Sequence, residues 1–90
     1  MAKVKFTAAL KRFFPSLDEI EVEGDSVQEV ITGVNKKFPG ITNYILEEDG
    51  SLRKHVNIFL ENDMISDRDN LSDQVKSNDQ ILIFQALSGG

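Results

Sequence analysis

One stretch of the chain carries a sustained helical period, and it limits the folds open to the rest. In "SVQEVITGVNKKFPG" (residues 26–40), Val27, Val30, Ile31, Val34 and Phe38 recur at i, i+3, i+4, i+7 and i+11, a single apolar stripe on one side of a helix. Ser26 and Glu29 have the capping-box spacing. Lys36 and Lys37 suit the negative end of the helix dipole, and Pro39-Gly40 ends the segment. A helix with one stripe buries it against one face of a sheet only. The expectation is therefore one sheet with one main helix laid across it. Gly33 lies inside the helix, where glycine costs about 1 kcal/mol against alanine, and is expected where helix and sheet approach closely.

The flanking sequence supplies the strands. "AKVKFTA" alternates, with Val4, Phe6 and Ala8 on one side and Lys3, Lys5 and Thr7 on the other, the period of a half-buried strand. "LKRFFPSLD" is a connector broken by Pro15. "EIEVEG" alternates again, which makes the first two strands an antiparallel hairpin. Beyond the helix, "TNYILEEDG" holds a short turn. "HVNIFLE" is a strand with Val56, Ile58 and Leu60 inward and His55, Asn57 and Phe59 outward. "NDMI" turns into a short strand, and "NLSDQVKSND" is expected to contain one helical turn with Leu71 and Val75 inward. "QILIFQAL" closes the series with both faces apolar, as in a central strand. The order predicts a mixed α+β sheet of about five strands, in which a strand after the helix runs parallel to one before it.

Composition excludes several function classes. Ninety residues with 40% hydrophobic and 28% charged side chains describe one ordinary domain, and a chain of this length buries roughly 60% of its unfolded surface, too little for a deep enclosed active site. The net charge of −5 opposes binding to nucleic acid or to an anionic membrane. No cysteine is present, so disulfides, thiolate metal sites and cysteine nucleophiles are excluded. The start of the chain has no apolar run suited to a signal peptide or membrane span, and a cytoplasmic location is expected. His55 lacks ligand partners at metal-site spacing. The acidic run Asp18, Glu19, Glu21 and Glu23 alternates outward with nothing polar converging on it, and there is no phosphate loop and no nucleophile paired with a base. An enzyme acting alone is not expected. Lys11, Arg12, Arg53 and Lys54 read as a solvated face rather than a basic docking rim.

The element order, with "VEGDSVQEVITGVNKKFPG", "LRKHVNIFLEND" and "LSDQVKSNDQILIFQALSGG", resembles the β-grasp or ubiquitin-like fold, and more narrowly the ThiS/MoaD family of sulfur carrier proteins. The segment between helix and third strand is similar to that of the longer MoaD-like and CysO-like members. Many members carry a proline before the terminal glycines; here Gln85-Ala86-Leu87 stands there, a departure that bears on which partner enzymes the tail fits. The resemblance implies a single β-grasp domain over residues 1–87 and a flexible tail, Ser88-Gly89-Gly90. It implies that the Gly90 carboxylate is the functional group. An E1-like activating enzyme would adenylate it with ATP, a sulfur donor would convert it to a thiocarboxylate, and a downstream synthase would accept the sulfur. The carrier itself would bind no cofactor and no metal. The last two residues, without side chains, would thread a narrow channel.

Ser88, Gly89 and Leu87 are thus expected to meet the partner, together with Phe84 and Phe59. If Ile81, Ile83 and Ile58 face the core, Leu82, Phe84 and Phe59 face away from the helix. They form an apolar docking patch, a second cluster beneath the segment of residues 41–54, or part of a central strand simply buried on both faces. Two rival functions share the resemblance: a protein modifier conjugated to lysines through Gly90, and a β-grasp binding module with an inert tail.

Overall fold

The computed structural model describes residues 1–85. The expected segments Leu87 and Ser88-Gly89-Gly90 lie outside them, as does the boundary at residue 87. The elements are β1 (Ala2–Phe6), α1 (Ala8–Lys11), β2 (Ile20–Val22), α2 (Val27–Lys37), α3 (Thr42–Ile45), β3 (Val56–Leu60), β4 (Asp63–Met64) and β5 (Gln80–Gln85). They form one five-stranded sheet in the order β2-β1-β5-β3-β4. The β1–β5 pair is parallel, and β1–β2, β3–β5 and β3–β4 are antiparallel. This is the mixed β-grasp sheet with its helix on one face.

The helix α2 forms as its pattern requires. Val27, Val30, Ile31 and Val34 are buried, and Phe38 packs partly buried against the same core. Three amides of its first turn, those of Val27, Gln28 and Glu29, find partners outside the helical ladder. Ser26 Oγ accepts from Glu29 N at 3.2 Å, and Glu29 Oε1 reaches back to Asp25 N at 3.2 Å. The Val27 and Gln28 amides donate to the carbonyls of Asp73 and Leu71, at 3.0 and 2.9 Å. The N–H groups of a first turn have no intrahelical partner and are the usual weak point of a helix start. Here a capping side chain and a distant loop divide the task. At the other end Asn35 Oδ1 accepts from the Gly40 and Thr42 amides and the Thr42 hydroxyl, tying the turn after the helix to its last turn.

Two expectations are corrected. The first strand ends at Phe6, so Ala8 is not its inward residue. Ala8, Ala9 and Leu10 open the short helix α1 instead, with Ala9 and Leu10 buried. Alanine and leucine are strong helix formers, and the turn carries Leu10 into the core, where it is fully buried. The segment "NLSDQVKSND" holds no helix. Leu71 and Val75 are buried as expected, but Leu71 has φ 53°. The Asp67 carboxylate gathers the Asp69, Asn70 and Ser72 amides and the Ser72 hydroxyl, so a side chain organises this loop in place of helical carbonyls. Leu60 faces inward as expected, partly buried against the core and paired with Ile81. It sits at the end of β3 beside the two-residue strand β4.

Gly33 lies over β2 so closely that a Cβ there would stand 2.4 Å from Val22 Cγ1. Gly33→Ala is expected to lower the urea midpoint. Overpacking costs about 1–3 kcal/mol, and the roughly 1 kcal/mol that alanine gains in a helix offsets part of it. A double-mutant cycle with Val22→Ala should show a favourable coupling; a parental midpoint for the single variant would mean the helix lifts away freely. A second expectation concerns the Asp67 loop. Hydrogen bonds from the Ser72 hydroxyl and then the Asn70 amide hold the Asp67 carboxyl below the usual carboxylate range. A depressed folded pKa gives stability that is complete above the unfolded value of about 4 and is lost as pH falls through the folded value. Asp67→Asn should therefore flatten the acid side of a midpoint-against-pH curve. An unchanged acid slope would show that the carboxylate does not contribute.

Candidate functional site: the open sheet face and the end of the last strand

One helix covers one face of this sheet, and the other face is open. Strand alternation sends Val4 and Phe6 of β1, Ile81 and Ile83 of β5, and Val56 and Ile58 of β3 into the core, each no more than 7% exposed. Their neighbours point the other way. Across the strands, Lys5 pairs with Leu82, Leu82 with Phe59, and Phe59 with Met64. The next rung pairs Phe84 with Asn57. Phe84 is 39% exposed and Met64 53%, while Leu82 and Phe59 are half-buried. An apolar strip therefore crosses the open face. Lys5 is exposed at one end, and Arg68 lies beside the Phe84 rung, its Nη1 donating to Asn57 Oδ1 at 2.9 Å and its Nη2 to the Arg53 carbonyl at 2.8 Å.

Of the side chains singled out from sequence within residues 1–85, Phe84 and Phe59 stand on this strip, on adjacent rungs. The segment of residues 41–54 does not bury Phe84. That segment packs on the helix side, where Ile41, Ile45 and Leu52 join the core. Met64, Lys5 and Arg68 are part of the same face and carried no signal as single residues. Met64 becomes visible only once the tight β3–β4 turn sets it opposite Phe59, with Glu61 at φ 58° in that turn.

The strip leads to where β5 ends. Gln85 pairs with Val56 at the start of β3, and its side chain turns to the helix side, where Oε1 is buried without a hydrogen-bond partner. Around this end lie Lys11, Arg12, Lys54 and His55, all exposed. Arg53 is engaged locally, donating from Nη1 to the Asn43 carbonyl at 2.8 Å and standing 3.7 Å from Glu47. Asp18, Glu19, Glu21 and Glu23, in and on either side of β2, are exposed, with Glu21 across from Lys3. The cleft between β2 and α2 is lined by charges of both signs, among them Glu21, Glu23, Lys36 and Lys76, with no nucleophile–base pair. Among the described residues no group of three or more His, Cys, Asp or Glu side chains is placed to hold a metal ion, and no helix is long and apolar enough to cross a membrane.

The sequence profile of the ThiS family matches residues 4–90. The chain belongs to the ThiS family. Solved structures agree on the fold. CysO of Amycolatopsis orientalis, crystallised in complex with BexX, superposes with a TM-score of 0.85 at 22% identity, covering 100% of both chains. CysO of Mycobacterium tuberculosis gives 0.83 at 19% identity over 97% of this chain and 100% of that one. The small archaeal modifier protein 1 (SAMP1) of Methanosarcina acetivorans gives 0.80 at 26% identity over 99% and 95%. No curated protein sequence matches this ThiS-family chain.

The two sides of β5 predict different outcomes for truncation. Ile83→Ala should cost about 2–5 kcal/mol of stability, since it empties space in the core. Phe84→Ala should cost about 1 kcal/mol or less, since much of the ring already meets solvent. Urea denaturation of both variants decides it, and a Phe84→Ala loss as large as that at Ile83 would make the open face structural.

Proposed function

We propose that this ThiS-family protein is a ubiquitin-like sulfur carrier whose reactive group is the carboxylate of Gly90. The observation that carries the reading is the family match, which runs through Ser88-Gly89-Gly90, three residues past the end of β5. In the proposed cycle an E1-like activating enzyme brings the carboxylate to the α-phosphate of ATP. The acyl-adenylate forms and pyrophosphate leaves. A sulfur donor then displaces AMP, and the thiocarboxylate passes its sulfur to a synthase in cofactor or amino-acid biosynthesis. The chain binds no cofactor of its own in this scheme, supplies no catalyst, and works in the cytoplasm.

The physical demands of that cycle fit what the chain offers. Both reactive species hydrolyse unless water is excluded, so each partner site must close around the tail. Gly89 and Gly90 add no Cβ to such a channel, and Ser88 and Leu87 would line its mouth. The sheet body provides the handle. Phe84 and Phe59, with Leu82 and Met64, form an apolar strip next to the base of the tail, and a partly exposed aromatic ring is a frequent anchor in protein interfaces. Transfer to protein lysines is the second reading. It shares the adenylate, and its support is the fold likeness to SAMP1, named a small archaeal modifier protein.

Incubation with ATP, an activating enzyme of this family and a sulfur donor should exchange one carboxylate oxygen for sulfur, seen by intact-mass spectrometry. Gly89→Leu should fold normally and fail to be adenylated. Normal activation of that variant would sink the threading argument. A ladder of higher-mass covalent species in cells, lost when Gly90 is deleted, would favour the modifier reading, and full function without Gly89 and Gly90 would favour the inert-tail module. Phe84→Ala should weaken binding to the activating enzyme by roughly thirtyfold, the equivalent of about 2 kcal/mol.

A further inference from the structure

Thr7 is placed as a helix cap and does not act as one. It occupies the N-cap position of α1 with extended backbone angles, φ −88° and ψ 166°, and its side chain makes no capping hydrogen bond. Threonine at this position ordinarily accepts from an amide of the first turn. Here Oγ1 accepts instead from the amide of Gln85, 78 residues away, at 3.3 Å.

The β1–β5 ladder explains the diversion. The register Phe6↔Ile83 places Thr7 opposite Phe84. In a parallel pair a residue donates to the residue before its partner and accepts from the residue after it. Thr7 fulfils the first half, its N–H donating to the Ile83 carbonyl at 3.3 Å. Its own carbonyl should then accept from Gln85. That carbonyl has turned into α1 and accepts from Leu10 N at 3.2 Å. The hydroxyl takes the carbonyl's place. Successive amides along a strand point to opposite neighbours, so the Gln85 N–H, aimed at β1, is out of reach of β3. The Thr7 hydroxyl is its partner.

From this geometry we infer that Thr7 is a positioning residue: its hydroxyl extends the central ladder by one hydrogen bond and sets Gln85 as the anchor from which the reactive terminus is delivered. The inference rests on the carrier reading above. Gly90 lies five residues past Gln85, so its carboxylate stays within about 18 Å of that anchor. Losing the bond moves the anchor back to Phe84, lengthens the tether and blurs the direction in which the chain leaves the sheet. A longer tether lowers the effective concentration of its end, and misplacement of a reacting group by about 1 Å costs up to a hundredfold in rate.

Thr7→Val is close to isosteric and removes no cap, because Thr7 does not cap α1. Thr7→Ser keeps an acceptor. Native-state hydrogen exchange of the free protein, followed by NMR, should show Gln85 exchanging about fivefold faster in Thr7→Val, the fold-change of one ordinary net hydrogen bond. The Ile81 and Ile83 amides serve as unchanged references, and Thr7→Ser should restore protection. With an activating enzyme that adenylates the parent protein, ATP–pyrophosphate exchange should show kcat reduced about two- to tenfold at unchanged KM, again recovered by Thr7→Ser. Parental exchange at Gln85 in Thr7→Val overturns the anchor. Faster exchange with an unchanged kcat overturns the positioning role, as does a change confined to KM, which would make Thr7 part of the docking surface. A parent chain that is never adenylated removes the carrier reading and the positioning role with it, while hydrogen exchange still decides whether the anchor exists.

Discussion

The parallel pairing of β1 with β5 holds this molecule together. Strands from the two ends of the described chain lie side by side at the centre of the sheet, with β2 outside one and β3 outside the other. Such a pair cannot be closed by a tight turn, and the intervening chain must cross over one face. The crossover carries α2, and its four buried apolar side chains complete the core beneath Val4, Phe6, Ile81 and Ile83. Placing β5 inside the sheet also fixes the position of Gln85, where that strand ends. Backbone groups of β1 and β3 flank the strand until the ladder on the β1 side runs out at Thr7.

One helix against five strands leaves one face uncovered. On most small domains that face is polar. Here Lys3, Lys5 and Gln80 follow the rule, whereas Phe59, Met64, Leu82 and Phe84 break it along a continuous strip. Exposing large apolar side chains confers no folding advantage, and a contiguous patch of them marks a surface that meets something else. Its place beside the end of β5 links the surface that would hold the protein to the terminus that would react. The same economy of local contacts operates at the start of α2, where the Asp67 loop is shaped so that the Leu71 and Asp73 carbonyls reach the helix amides.

Much of this was legible from residue order. The Ser26–Glu29 cap, the stripe from Val27 to Phe38, the alternation in β1, β2 and β3, the doubly apolar β5 and the close approach at Gly33 all follow from local periods and spacings. The misreadings fell where a side chain or a neighbouring element competes with the local pattern. Ala8 continues the alternation of β1, yet the chain has already turned into α1. Leu71 and Val75 have helical spacing, yet the Asp67 carboxylate and a left-handed Leu71 build a loop that buries the same two residues. Thr7 read as the outward side of a strand, and Met64 as part of a turn. Neither has a signal of its own, because the role of each depends on a partner that the sheet register brings opposite, Gln85 for Thr7 and Phe59 for Met64.

Which residues face the core, where the main helix begins and ends, and that the last strand is apolar on both faces were determined by the sequence itself, because periodicity and capping are properties of neighbouring residues. Only the tertiary structure decided which outward residues become a surface and where the last strand is held. Register across strands brings Lys5, Leu82, Phe59 and Met64 into one row. The turn of the Thr7 carbonyl into α1 leaves its hydroxyl as the partner for Gln85. Both depend on hydrogen bonds between distant strands, whose geometry no local pattern encodes.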